Sequence, residues 1–219
     1  MKSKKLIISL IFAAGLSSGQ SFAQDSAPGK TRLNQVFFRG GIASLVHSRG
    51  NEVFTDTAGA SGVNSNKRGL GLAAGIDLAI SEEKQILGFG TLLGEVYMEY
   101  DRFSSKTVRQ TTSALLAGTN NSNVMVSQMN ATIAPKLRID SLGVVRPFII
   151  PGGMSWLVNS PPSNDSTYLD FGIPFAAGVD LKFMDQLSIG MDVRYTLAFN
   201  DSNTENSTYS VGGYAGINF

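Results

Sequence analysis

The stretch Leu70-Gly71-Leu72-Ala73-Ala74-Gly75-Ile76-Asp77-Leu78-Ala79-Ile80 decides how the rest of the chain is read. Leu70, Leu72, Ala74, Ile76, Leu78 and Ile80 take alternate positions, and Gly71, Ala73, Gly75, Asp77 and Ala79 fill the positions between them. Successive side chains of an extended strand point to opposite faces, so one face here is wholly apolar and the other is small or charged.

The same alternation returns further along. Phe171, Ile173, Phe175, Ala177, Val179, Leu181 and Phe183 are set against Gly172, Pro174, Ala176, Gly178, Asp180 and Lys182. Ile189, Met191, Val193, Tyr195, Leu197 and Phe199 alternate with Gly190, Asp192, Arg194 and Thr196, and Met129 to Ile139 alternates with Gln128, Asn130, Thr132, Lys136 and Arg138. The charges fall on one side each time. Gln35 to Val46, Leu92 to Phe103, Val145 to Val158 and Tyr209 to Phe219 are less regular but compatible. The total is about eight strands of roughly ten residues, long enough for tilted crossings of a bilayer.

A water-soluble sandwich or lipocalin-like barrel also alternates, so the connections carry the choice of solvent. His47 to Arg68, Ser104 to Asn123, Asn159 to Thr167 and Asn200 to Thr208 are long, whereas Ser81 to Gln85, Asp140 to Gly143 and Met184 to Gln186 are short. Long polar loops at one end and tight turns at the other are the asymmetry of an outer-membrane barrel. The rings follow: Tyr100, Trp156, Tyr168, Tyr195, Phe199 and Tyr209 lie toward the loops, and Phe38, Phe148, Phe183 and Phe219 toward the turns, as two girdles.

The 219 residues carry a net charge of +1, which excludes a basic nucleic-acid binder and a disordered acidic chain. Mean hydropathy is only +0.04, so the apolar residues are spread through the chain rather than massed into spanning helices. The exception is the start, where Lys2, Lys4 and Lys5 precede the apolar run Leu6 to Leu16 and the small-x-small ending Ser21-Phe22-Ala23. That pattern reads as a cleavable secretory signal over residues 1–23, with a short periplasmic segment at 24–34 and the barrel domain at 35–219. With no cysteine, the exported chain has no disulfide framework, thiol nucleophile or thiolate metal site. The expected fold class is thus all-β, an eight-stranded antiparallel up-and-down transmembrane β-barrel.

Three segments also carry a resemblance. Phe37-Phe38-Arg39-Gly40-Gly41-Ile42 resembles the aromatic-x-Arg-Gly-Gly opening of the small outer-membrane barrels typified by the transmembrane domain of outer-membrane protein A and by opacity and adhesion proteins. Arg146-Pro147-Phe148 leading into Gly152-Gly153 is similar to the fifth strand of that group. Tyr214-Ala215-Gly216-Ile217-Asn218-Phe219 resembles the sorting signal read by the barrel-assembly machinery, with Tyr209, Val211, Gly213, Ala215, Ile217 and Phe219 on one outward face. The resemblance implies an outer-membrane location. Its implied partners are membrane lipid, lipopolysaccharide, the assembly machinery and periplasmic chaperones, with a host or cell-surface ligand for the loops and no partner subunit. The chain stops at Phe219, so the peptidoglycan binding of the two-domain members is not carried over.

If the apolar face meets lipid, the other face points inward and collects Arg39, Asp77, Glu95, Glu99, Asp101, Lys136, Arg138, Asp180, Lys182, Asp192 and Arg194. An eight-strand interior is just wide enough for its side chains, so these charges are expected to pair and plug it, the alternative being a gated ion path. Glu95 and Glu99 are ~13 Å apart along a strand, too far for paired catalytic carboxylates. His47 beside Ser48 resembles the pairing of lipid A-modifying barrel enzymes, with Glu52, Asp56 or Asp101 as orienting acid. Adjacent strand residues point to opposite faces, which favours a solvated loop histidine. Gly69-x-Gly71 and Gly88-x-Gly90 lack the helix of a dinucleotide site, and Asp201-x-Asn203-x-Glu205 lacks the glycine of a calcium loop, so no cofactor or metal is expected.

Three features remain. Pro135, Pro151 and Pro174 each remove a ladder donor and are expected at bulges or strand ends. Ala114-Leu115-Leu116-Ala117 is too apolar for a freely solvated loop. Ala73 to Leu78 is nearly repeated at Ala176 to Leu181, read equally as inherited two-half architecture or as convergence under one packing constraint. The expected function is a non-enzymatic anchor for exposed loops in a structural, adhesion or envelope-integrity role, with a lipid A-modifying enzyme or a narrow ion channel as alternatives.

Overall fold

A computed structural model describes residues 32–46, 68–103, 106–111, 119–124, 127–160, 169–199 and 206–219. The proposed export signal, His47, Ser48, Glu52, Asp56, Ala114 to Ala117, Tyr168 and Asp201 to Glu205 lie outside the described residues.

Period-two sequence becomes strand throughout. The elements are β1 (Gln35–Leu45), β2 (Arg68–Ala79), β3 (Gly90–Phe103), β4 (Lys106–Thr111), β5 (Thr119–Val124), β6 (Ser127–Ile139), β7 (Val145–Ile150), β8 (Met154–Ser160), β9 (Leu169–Lys182), β10 (Leu187–Phe199) and β11 (Thr208–Asn218). Each wall strand pairs antiparallel with its sequence neighbours, and β11 returns to β1, for example through Gly41 opposite both Gly71 and Gly212. β7 and β8 lie end to end, sharing β6 on one side and β9 on the other. They form one stave, so the wall is a closed eight-stranded barrel. Closure leaves no sheet edge with unpaired backbone groups, which hydrocarbon would not tolerate.

The burial pattern distinguishes a membrane barrel from a lipocalin-like one. Leu70 and Leu72 are 71% and 70% exposed and Phe38 is 65% exposed, whereas Arg39 and Asp77 across the wall are 3% and 1% exposed. The molecule is apolar outside and polar inside, the inverse of a soluble barrel. At ~3.3 Å per residue and a tilt of ~40°, the ten steps from Leu70 to Ile80 rise roughly 25 Å, the height of an outer-membrane apolar band.

The structure refines four expectations. The turn after β2 runs from Ile80 to Phe89, longer than Ser81 to Gln85, because Ile86, Leu87, Gly88 and Phe89 form a tight reversal with positive φ at Leu87 (52°) and Gly88 (78°). The stretch Ser104 to Asn123 is not loop throughout, since β4 and β5 pair with each other as a ribbon. Phe148 faces inward, 2% exposed, and belongs to no girdle. The last strand ends at Asn218, with Phe219 following it and donating its amide to the Asn34 carbonyl.

The prolines share one explanation. Pro151, Gly152 and Gly153 interrupt the fifth stave, and the facing residues shift parity from Arg146, Phe148 and Ile150 to Ser155, Leu157 and Asn159. Pro135 falls between the β6 residues Ile133 and Leu137, which pair with Met154 and Ile149, and Pro174 falls between the β9 residues Gly172 and Ala176, which pair with Ser155 and Ile150. All three prolines therefore surround a single break. The ladder is already interrupted there, so their missing donors leave nothing unpaired. Gly153 is needed for close approach, because a Cβ would sit 2.6 Å from the Ala134 Cβ and the Ile133 carbonyl oxygen.

Candidate functional site: the barrel interior

Glycines on the inner face make room for the large side chains that fill the barrel. Phe37 lies against Gly75 of β2, Tyr214 against Gly190 of β10 and Phe148 over Gly178 of β9, where a Cβ would come within 2.6 Å of the ring. Gly212 receives the Arg39 guanidinium in the same way. Their contribution is the absence of volume rather than backbone freedom.

A continuous chain of ion pairs crosses this interior. Lys136 Nζ donates to Asp77 at 2.7 Å and to Glu95 at 3.4 Å. Glu95 accepts two bonds from Arg194, at 2.6 and 3.1 Å, and Arg194 Nε donates to Asp192 at 2.9 Å. Arg39 joins the other Asp192 oxygen at 2.6 Å to Glu99 at 2.7 Å, and its remaining nitrogen donates to Ser210. The sequence Asp77, Lys136, Glu95, Arg194, Asp192, Arg39, Glu99 thus ties β2, β6, β3, β10 and β1 together through charge-assisted bonds. Rings complete the packing. The Lys136 ammonium sits 4.1 Å from the Phe148 centroid and 5.4 Å from that of Phe37, and the Arg194 guanidinium stacks 3.8 Å over Tyr97. Such contacts offset part of the cost of taking cations out of water.

The two ends are lined differently. Toward the turns, Arg138 donates to Asp140 at 2.9 Å, Arg146 lies 3.5 Å from the same oxygen and Thr91 donates to the other. Toward the loops, Asn130 bonds Thr196, Thr132 bonds Ser155, and Asn159 and Asn206 both donate to Asp170. Ala43, Leu45 and Phe103 form an apolar cluster near that mouth.

Of the sequence-predicted interior residues, Arg39, Asp77, Glu95, Glu99, Lys136, Asp192 and Arg194 meet in the one chain, and Arg138 joins the turn-side cluster. Asp101 is buried beside Glu99 above Gly71, with one carboxylate oxygen lacking a hydrogen-bond partner among the described residues. Asp180 is buried near the turn end. Lys182 stands apart: it pairs with Asp185 of the following turn at 2.6 Å, and that bond holds the exposed Asp185 carboxyl below its usual range. Sequence reading missed Asp140, Arg146 and Asp170, although Asp140 and Asp170 continue the inward parity of β6 and β9. It also missed the inward rings of Phe37, Tyr97, Phe148 and Tyr214. The outward set Tyr209, Val211, Gly213, Ala215 and Ile217 lines one face of β11, with Phe219 partly exposed beyond it. Among the described residues no group of three His, Cys, Asp or Glu is placed to hold a metal ion.

No family model matches the chain, and no curated protein matches it. Solved structures do. The outer-membrane enzyme PagL superposes with a TM-score of 0.51 at 12% identity, over 84% of this chain and 99% of PagL. This chain has the fold of a small outer-membrane barrel. OprG of Pseudomonas aeruginosa (TM-score 0.49, 12% identity, 87% of this chain and 98% of that one) is a further neighbour of this outer-membrane barrel. So is Ail of Yersinia pestis, solved with the heparin analogue sucrose octasulfate (0.47, 12%, 85% and 99%). At these identities the likeness concerns the fold, and the barrel's apolar belt independently suits it to a bilayer.

Proposed function

We propose that this outer-membrane barrel is a non-enzymatic anchor whose work is done by its exposed loops, on lipopolysaccharide or on a cell-surface ligand. The observation that supports this reading is the interior itself. Seven of its acids and bases are engaged in one chain of ion pairs, and rings and amides fill much of the space between, which supports reading the interior as a plug. Function then falls to the long connections at 47–67, 104–126, 161–168 and 200–207. On the same reading, β11 and Phe219 serve as the segment that the assembly machinery recognises.

The test is a deletion of Glu52 to Asn66 in the full chain, scored for folding by heat-modifiable gel mobility and for cell-surface binding. Retained folding with altered surface binding is the expected result; loss of assembly would count against a loop-borne function. Lipid A from the same cells should keep its mass. A mass shift abolished by His47→Ala would replace the anchor reading with an enzymatic one.

A further inference from the structure

Among the described residues of the eight staves, the outward face is apolar or small almost everywhere. Arg68 and Arg102 are the exceptions: both are exposed and both point away from the lumen. They stand on adjacent strands. Leu70 is opposite Arg102 and Gly69 is opposite Phe103, which makes Arg68 the diagonal neighbour of Arg102 on the same face, ~7 Å away. At Gly69 a side chain would run into the Arg102 carbonyl, so β2 and β3 approach closely between the two arginines. Like charges so placed repel, and no Asp or Glu among the described residues of the wall faces outward to neutralise them.

Their height specifies what would. Directly below lie Leu70, Leu72 and Tyr100, exposed by 71%, 70% and 44%. This is the upper edge of the apolar belt, where acyl chains end and headgroups begin. Two guanidiniums converge there, and each can grip a phosphate with two parallel donors. We propose that Arg68 and Arg102 form a clamp for the phosphate of a phosphorylated glycolipid in the outer leaflet, with its acyl chains lying on Leu70 and Leu72. The clamp is independent of what the loops bind.

The test is retention of lipid by the folded barrel in phosphatidylcholine nanodiscs doped with bisphosphorylated lipid A or with lipid A stripped of phosphate, counted by mass spectrometry. Wild type is expected to retain the phosphorylated form preferentially, and R68Q/R102Q to retain about thirtyfold less of it, on the scale of two basic residues at an anionic leaflet. Lys84→Gln, at a turn on the opposite end, should match wild type. Equal retention of both lipids by wild type, or no loss in R68Q/R102Q, overturns the proposal. The comparison of the two lipids needs no variant, so it stands even if R68Q/R102Q does not fold.

Discussion

Glu95 is the residue on which most of the interior converges, since it holds both Lys136 and Arg194. Glu95→Gln leaves two buried cations short of a counter-charge and should cost about 3–5 kcal/mol. Urea unfolding from lipid vesicles, followed by gel mobility, measures it. Asp101 makes the opposite case: it sits beside Glu99 with one oxygen unpartnered among the described residues. Asp101→Asn relieves like-charge repulsion and should change stability by less than about 1 kcal/mol, or raise it. Gly190→Val should cost about 1–3 kcal/mol by pushing into Tyr214. Tyr214→Ala in the same chain should recover part of that loss, a coupling that a double-mutant cycle reads directly. The acids and bases were legible in the sequence because period two places Asp77, Glu95 and Lys136 on the face opposite the leucines. The rings were not: a phenylalanine is as good a lipid-facing residue as a core one. What assigns Phe37 and Phe148 inward is the glycine each lies upon in a neighbouring strand, and that depends on register.

The break in the fifth stave is the element that sequence left open. Three prolines in a closed sheet require bulges or strand ends, yet one-dimensional reading cannot show that Pro135, Pro151 and Pro174 share a single site, because they meet only across β6, β7 and β9. Pro135→Ala and Pro174→Ala should each change stability by less than about 0.5 kcal/mol, because no ladder bond waits there to be restored. Ala131→Pro, two turns of the pleat away and paired on both sides with Met98 and Trp156, should cost about 3 kcal/mol or more. The same unfolding assay separates the two. A large gain from either alanine variant would mean that the ladder is continuous across the break. Strand count was readable in advance, since it follows from local alternation; the sorting of connections by length was readable only in part, because the ten-residue turn after β2 is longer than the eight-residue connections 161–168 and 200–207. The ribbon of β4 and β5 was not, because its residues, Lys106–Thr111 and Thr119–Val124, are polar enough to read as loop.

At the scale of the whole molecule, two opposite solvents shape one sheet. The outer face satisfies lipid with leucine, isoleucine, valine and phenylalanine, and the inner face joins most of its charges in one chain of ion pairs, with Asp101 and Asp180 each keeping an oxygen without a hydrogen-bond partner among the described residues. That inversion is why this outer-membrane barrel can span with strands of modest hydropathy and, on the proposed reading, why its lumen is occupied rather than open. Single-channel recording across a planar bilayer, on protein first shown to be folded by its heat-modifiable mobility, tests the occupied lumen most directly. A plugged lumen predicts a silent membrane for wild type. Discrete, reproducible conductance steps from the folded wild-type protein would contradict it.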